Sequence, residues 1–172
     1  MLLNLGCGNN KLDGYVNIDL HDKEADIQAD ITDLPIKSNS VEGIVAYQVI
    51  EHVPYWRAIE VFEEMYRVMK PGATAVIECP DMLYIAQQIV DREDVADKWV
   101  YNIWGEYYRP WDKNRYRDWE HNAASLHING FTEKKIRRLA EQAGFTQIRR
   151  REMHEVHPDY QYPETLSMEL TK

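Results

Sequence analysis

The sequence predicts an open α/β sheet, mostly parallel and covered by helices on both faces, and three observations carry that prediction. Short apolar runs without strict polar alternation recur along the chain, helical periodicity appears between them, and the first run ends directly in a glycine turn. Strands that do not alternate fit burial on both faces better than an antiparallel sheet with one wet face. A chain of 172 residues can bury one sizeable core, so residues 1–172 are read as a single domain.

The elements follow in order. MLLNL at 1–5 hands over to GCGNN, YVNIDL at 15–20 repeats the pattern, and IQAD at 27–30 is a third short run. SVEGIVAYQV at 40–49 contains a stronger strand, and TAVIECP at 74–80 completes the apolar series. A helix starting near Tyr55 carries Ile59, Phe62, Tyr66 and Met69 on one face and is stopped by Pro71 and Gly72. Thr132 caps a later helix presenting Ile136, Leu139, Ala140 and Ala143; Phe131 and Ile136 have the spacing of a hydrophobic staple, and Gly144 supplies the exit. FTQIR then reads as a further strand, an order of elements that favours an α/β sheet over a helical bundle.

Between about 94 and 122 the composition changes. Trp99, Trp104, Trp111 and Trp119 interleave with tyrosines and with Arg109, Arg115 and Arg117, which marks an aromatic-rich insertion rather than a separate domain. It serves either as an accessory packing layer with an oligomer contact or as a lid facing substrate.

Charge and composition exclude several classes. With 20 Lys and Arg against 29 Asp and Glu, the formal net charge of −9 disfavours nucleic acid or an anionic membrane as the organising partner. No apolar stretch reaches the roughly eighteen residues of a membrane span, and the opening residues lack a charged leader before an apolar core. Cys7 and Cys79 sit in apolar runs without redox or metal spacing, so they read as reduced thiols of a cytoplasmic protein. The basic group Lys134, Lys135, Arg137 and Arg138, with Arg149 to Arg151, is helix-surface charge or a contact for an anionic partner.

Gly6, Cys7 and Gly8 lie just beyond the first strand, where small residues let the backbone approach a ligand at the carboxyl edge of a parallel sheet. A glycine pair alone is equally a tight turn. The acid that ends the second strand, Asp19, sharpens it, since its carboxylate suits the ribose hydroxyls of an adenosine-containing cofactor. Asp30 follows the third run and would approach an adenine amino group, with Ile31 as apolar neighbour, or is an ordinary loop acid. A nicotinamide reading is weakened because Asn10 stands where a third glycine would open a helix.

Taken together, LNLGCGNNKLDGYVNIDL, DITDLPI, EHV and MKPGATAVIECPD resemble, in sequence and in order, the class I S-adenosylmethionine-dependent methyltransferases, in a compact form like methyltransferase type 11. With FTEKKIRRLAEQAGF the resemblance extends over most of residues 1–151. It implies a doubly wound, Rossmann-like sheet and S-adenosylmethionine as cofactor. It further implies that Gly6, Cys7 and Gly8 lie beside the amino-acid end of the cofactor, Asp19 and Leu20 at the ribose, Asp30 and Ile31 at adenine, and Gln48 in the loop after the fourth strand. His52, in EHV, is expected to hold that strand exit rather than move a proton.

The chain departs from the family pattern in two places. It starts directly at the first strand, without leading helices, so a partner copy or the aromatic insertion is expected to cover the cofactor. The link from Gly8 to Tyr15 is too short for a full crossover helix.

Methyl transfer asks the protein to align the acceptor and, for an oxygen or nitrogen acceptor, to remove a proton. His127 is the first general-base candidate, His121 and Glu120 follow, and Tyr47 is placed to orient the acceptor; a loop histidine with no proton role is the favoured alternative for His127. No metal is expected: His154, Glu155, His157 and Asp159 show no ligand spacing of the HExxH kind. The expected function is methyl transfer to a small-molecule or carbohydrate-related acceptor, with a homodimer as the candidate assembly. A non-catalytic interaction module on the same fold is the alternative.

Overall fold

The computed structural model describes residues 1–92, 103, 126–152 and 163–172. Within them lie strands β1 (Leu2–Leu5), β2 (Tyr15–Asp19), β3 (Ile27–Gln28), β4 (Val41–Tyr47), β5 (Met69–Pro80), β6 (Gln147–Arg151) and β7 (Thr165–Thr171). Helices α1 (Ala58–Val68), α2 (Met82–Asp91) and α3 (Glu133–Ala143) accompany them, with a single 3-10 turn at Ile50–His52.

The seven strands form one sheet in the order β3-β2-β1-β4-β5-β7-β6. From β3 to β5 every pairing is parallel, whereas β7 runs antiparallel to both β5 and β6. The chain winds outward from β1 in one direction and from β4 in the other, the doubly wound arrangement, which puts the switch point, where sheets of this kind bind ligands, at the carboxyl ends of those two strands.

Leu3, Leu5, Ile18, Ile44 and Ala46 of the central strands are buried, and they form one core with Phe62 and Met65 of α1 and Ile136 and Ala140 of α3. The helices α1 and α3 pack against each other. At their contact the rings of Tyr66 and Phe145 meet edge to face, with centroids 5.2 Å apart. Both ends of α3 follow the expected chemistry: the Thr132 side chain accepts from the Lys135 amide at 3.3 Å, and Gly144 closes the helix at φ 111.

Three expectations change. Helix α1 starts at Ala58, not near Tyr55, and Met69 leaves it to become the first residue of β5, with φ −68 and ψ 142. Pro71 and Gly72 therefore fall at the start of a strand, beside a register shift opposite Val41 and Gly43. The connection from β1 to β2 is a loop without a helix, as its length predicts, and β2 to β3 is also a loop. Helical cover on that flank is thus missing among the described residues. The segment from Thr165 to Thr171, unassigned from sequence, is a seven-residue strand inside the sheet, between β5 and the edge strand β6, and Asp81 caps α2, also unassigned, by accepting from the amides of Leu83 and Tyr84.

The aromatic insertion at about 94–122, with Glu120 and His121, lies outside the described residues but for position 103, as do His154 and His157. Among the described residues no helix is long and apolar enough to cross a membrane.

Candidate functional site

The register of β1 sets the site. Leu5 lies opposite Ile18 of β2 and Ala46 of β4, so Gly6 and Asp19 emerge side by side at the carboxyl edge. The chain turns there at once: the amides of Gly6 and Cys7 both donate to the Ile18 carbonyl, at 2.8 and 3.1 Å, and the Asn10 amide returns to the Cys7 carbonyl at 2.7 Å. Gly6 and Gly8 hold φ of 65 and 44, a left-handed backbone that disfavours side chains. The two glycines differ in surroundings. A β-carbon at Gly6 would run into the side chain of Val49, whereas one at Gly8 would meet no atom of the described residues within 4 Å. Gly6 thus lets the turn close on the exit of β4, and Gly8 borders space that the described residues leave open.

Asp19 ties this turn to β2. One carboxylate oxygen accepts from the Gly8 amide at 2.9 Å, and the other from the amides of His21 and Asp22 at 2.8 and 2.9 Å. Burial raises the Asp19 carboxyl, but the amides of Asp22, His21 and Gly8 outweigh it and hold the group below the usual carboxylate range. Of the roughly four acceptor positions of a carboxylate, three are engaged within the chain. One acceptor position, on the oxygen that faces Gly8, is left by these three bonds. Beside it Leu20 stands 48% exposed, an apolar side chain left uncovered at the edge.

Asp30 is committed to its own loop. It accepts from the amide and hydroxyl of Thr32, at 2.9 and 2.7 Å, and pairs with Arg57 at 2.9 Å, while Arg57 also reaches the Thr32 hydroxyl. Its carboxyl is raised by burial and lowered further by Thr32 and Arg57, with a net downward shift. Ile31 next to it is buried in the core.

The exit of β4 forms the opposite wall. Gln48, exposed, takes a left-handed φ of 51, and its amide donates to the Glu78 carbonyl at 2.8 Å. Tyr47 is half-buried and sits opposite Glu78 of β5 in register; burial first, and the Glu78 charge second, raise its hydroxyl. Cys7 is buried, and burial, then Asp19, raise its thiol.

Beyond Gln48 the structure brings together residues that sequence spacing does not connect. Glu51 is 1% exposed, neither of its carboxylate oxygens has a hydrogen-bond partner among the described residues, and burial pushes its carboxyl up to about 8. His127 lies with Nε2 3.9 Å from Glu51 Oε1, and the rings of His52 and His127 meet edge to face with centroids 5.0 Å apart. Burial lowers the His52 imidazole, and its Nδ1 donates to the Leu126 carbonyl at 2.9 Å. Of the four proposed catalytic residues, the structure thus places His127 and Tyr47 near the β4 exit, with His127 directly beside Glu51.

Two further groups escaped the sequence reading. Asn4 and Asn17, buried on β1 and β2, are bonded side chain to side chain at 2.9 Å. Asn4 also donates to the Asn10 carbonyl at 2.9 Å, while Asn17 accepts from the Leu12 amide at 2.8 Å and reaches Asp26 at 3.0 Å. This network holds the loop where a crossover helix would otherwise stand. Glu51 itself is the second: it stands first in the EHV block of the resemblance, but the sequence reading gave it no role of its own, because nothing local shows its burial or its approach to His127.

Comparison with known proteins places this edge in context. Residues 3–77 match the methyltransferase domain family. No curated protein matches the sequence. Among solved structures, a SAM-dependent methyltransferase from Archaeoglobus fulgidus is similar with a TM-score of 0.63 at 13% identity, over 99% of this chain and 85% of the other. A SAM-dependent methyltransferase from Thermotoga maritima follows with a TM-score of 0.60 at 14% identity, covering 99% and 81%. The phosphoethanolamine N-methyltransferase 2 of Haemonchus contortus, in complex with S-adenosyl-L-methionine, has a TM-score of 0.55 at 12% identity over 99% of this chain and 48% of that one. At these identities the likeness speaks to the fold.

Proposed function

We propose that this chain is a class I S-adenosylmethionine-dependent methyltransferase and that it methylates a small-molecule or carbohydrate-related acceptor, a reading supported by the match of residues 3–77 to the methyltransferase domain family and by the fold it shares with SAM-dependent methyltransferases. The observation that carries the reading is the joining of the Gly8 amide to the Asp19 carboxylate at 2.9 Å, at the switch point of the sheet and beside space at Gly8 that the described residues leave open.

The residues present fit the cofactor. Gly6, Cys7 and Gly8 would lie along its amino-acid end, the remaining acceptor position of Asp19 would take a ribose hydroxyl, and the exposed Leu20 would pack on the nucleoside. Asp30, Ile31 and Gln48 would border the adenine side and the β4 wall. When bound, S-adenosylmethionine supplies a methyl carbon made electrophilic by its sulfonium. The chain's own task is to orient an acceptor, exclude water and handle the acceptor's proton, and Tyr47, Glu51, His52 and His127 are the groups proposed for the acceptor side.

The acceptor class rests on the net charge of −9, which opposes a polyanionic partner, and on the polar groups at the β4 exit. The test is transfer from labelled S-adenosylmethionine to panels of small hydroxylated and amino compounds and sugars. Labelled product in one panel is the expected result. No transfer to any panel, by protein that binds the cofactor in calorimetry, would remove the acceptor assignment.

A further inference from the structure

We propose that Glu51, His52 and His127 form a binding site for a divalent transition cation of the manganese, cobalt or zinc kind, set on the acceptor side of the cofactor. One ligand atom from each of the three lies within 4.8 Å of the others. Cation–ligand bonds of about 2.0–2.2 Å place ligand atoms roughly 3–4 Å apart, so the cluster needs only a small contraction to close.

Two observations separate this group from a chance meeting of polar side chains. The first is the Glu51 carboxylate, 2% exposed as a side chain and without a hydrogen-bond partner among the described residues, facing His127 Nε2 at 3.9 Å. A carboxyl group taken out of water with no donor to its oxygens is costly, and a bound cation removes that cost. The second is how the group is held. The amides of Ile128 and Asn129 both donate to the Glu51 carbonyl, at 3.0 and 3.1 Å, and the Asn129 side chain donates to the Val53 carbonyl at 3.1 Å. With His52 Nδ1 on the Leu126 carbonyl at 2.9 Å, four bonds fasten the 126–129 segment to the turn after β4. Hydrogen bonds to backbone of this kind orient ligands before a metal arrives.

The donor set argues for the class of ion. Two imidazoles and one carboxylate suit transition cations, whereas magnesium and calcium favour oxygen alone. Three protein ligands leave coordination positions open, and these would take oxygen atoms of the acceptor. A hydroxyl bound there becomes more acidic and passes its proton to solvent water, so that His127 serves as a ligand and no dedicated protein base is required. This inference rests on the methyltransferase reading for its purpose but not for its test.

The experiment uses the full chain, freed of metal with a chelator and titrated with Co2+ while visible absorption and calorimetric heat are followed, with S-adenosylhomocysteine titrated into the same protein. One equivalent of Co2+ with a visible absorption band is expected. Glu51→Gln and His127→Ala should each weaken uptake at least tenfold while still binding S-adenosylhomocysteine, and a His154→Ala, His157→Ala double variant should leave Co2+ uptake unchanged. No uptake by the folded parent, or uptake undiminished in both single variants, overturns the proposal. S-adenosylhomocysteine binding without Co2+ uptake removes the cation site alone. Co2+ uptake without S-adenosylhomocysteine binding removes the methyltransferase reading and leaves the cation site standing.

Discussion

The Gly8 amide and the Asp19 carboxylate meet at 2.9 Å, so the turn after β1 and the acid that ends β2 form one unit. Any change at Asp19 therefore acts twice, on the loop and on the ligand it would hold.

Asp19→Ala should lower cofactor affinity by about one to two decades, the effect of losing one charge-assisted hydrogen bond worth about 1.5–3 kcal/mol. The same substitution leaves the amides of Gly8, His21 and Asp22 without their acceptor and should also cost about 1–3 kcal/mol of stability. Calorimetric titration and urea unfolding of the same samples separate the two effects. A variant as stable as the parent would show that the loop does not depend on this carboxylate.

The pH dependence follows from the direction of the Asp19 shift. Its folded carboxyl lies below the ordinary value, because the amides of Asp22, His21 and Gly8 outweigh the burial that raises it. Its contribution is therefore fully present above the unfolded value of about 3.9 and is lost as pH falls through the lower folded value. Urea unfolding of the parent at pH 6 and pH 3 should show a loss of stability on acidification that is smaller in Asp19→Ala. An equal loss in both proteins would assign the acid sensitivity to the other carboxyls held below their ordinary values, among them Asp22, Asp26, Asp30, Glu42, Glu64 and Glu133.

Gly6→Ala and Gly8→Ala should part company. Both impose a side chain on a left-handed backbone, about 1–2 kcal/mol each. Only at Gly6 does the new carbon also strike Val49, which adds about 1–3 kcal/mol. Thermal melts should rank Gly6→Ala well below Gly8→Ala, and Gly8→Ala should fold yet bind S-adenosylmethionine more weakly. Equal melting temperatures would contradict the close packing at Gly6.

Asn17→Ala tests the network that stands in for a crossover helix. It leaves the Leu12 amide and the Asn4 side chain without a shared acceptor and should cost about 2–3 kcal/mol. Asn10→Ala, which removes an exposed side chain in the same loop, should stay within about 0.5 kcal/mol. Chemical denaturation of the pair decides whether the buried amides hold the loop.

Local patterns in the sequence determined where the chain stops and turns. Apolar runs ending at Gly6 and Asp19 become strands because such runs must be buried on both faces, and the Thr132 and Gly144 ends of α3 follow from side-chain capping and from a left-handed glycine. These signals lie within a few residues of the atoms they control. Pairing between distant segments was decided only by the tertiary structure. The strand Thr165–Thr171 lies between β5 and β6, and no neighbouring residue announces that register. The same holds for the site. Asp19 was legible because its strand delivers it to the edge, but its engagement with three amides depends on a loop that returns across the sheet. Glu51 and His127 lie far apart in sequence, with α1, β5 and α2 between them among the described residues, and they meet because four hydrogen bonds fasten the 126–129 segment to the turn after β4. Burial there gives an ordinary surface-type residue its chemistry, since the cost of a carboxyl group depends on how much water the fold removes from it.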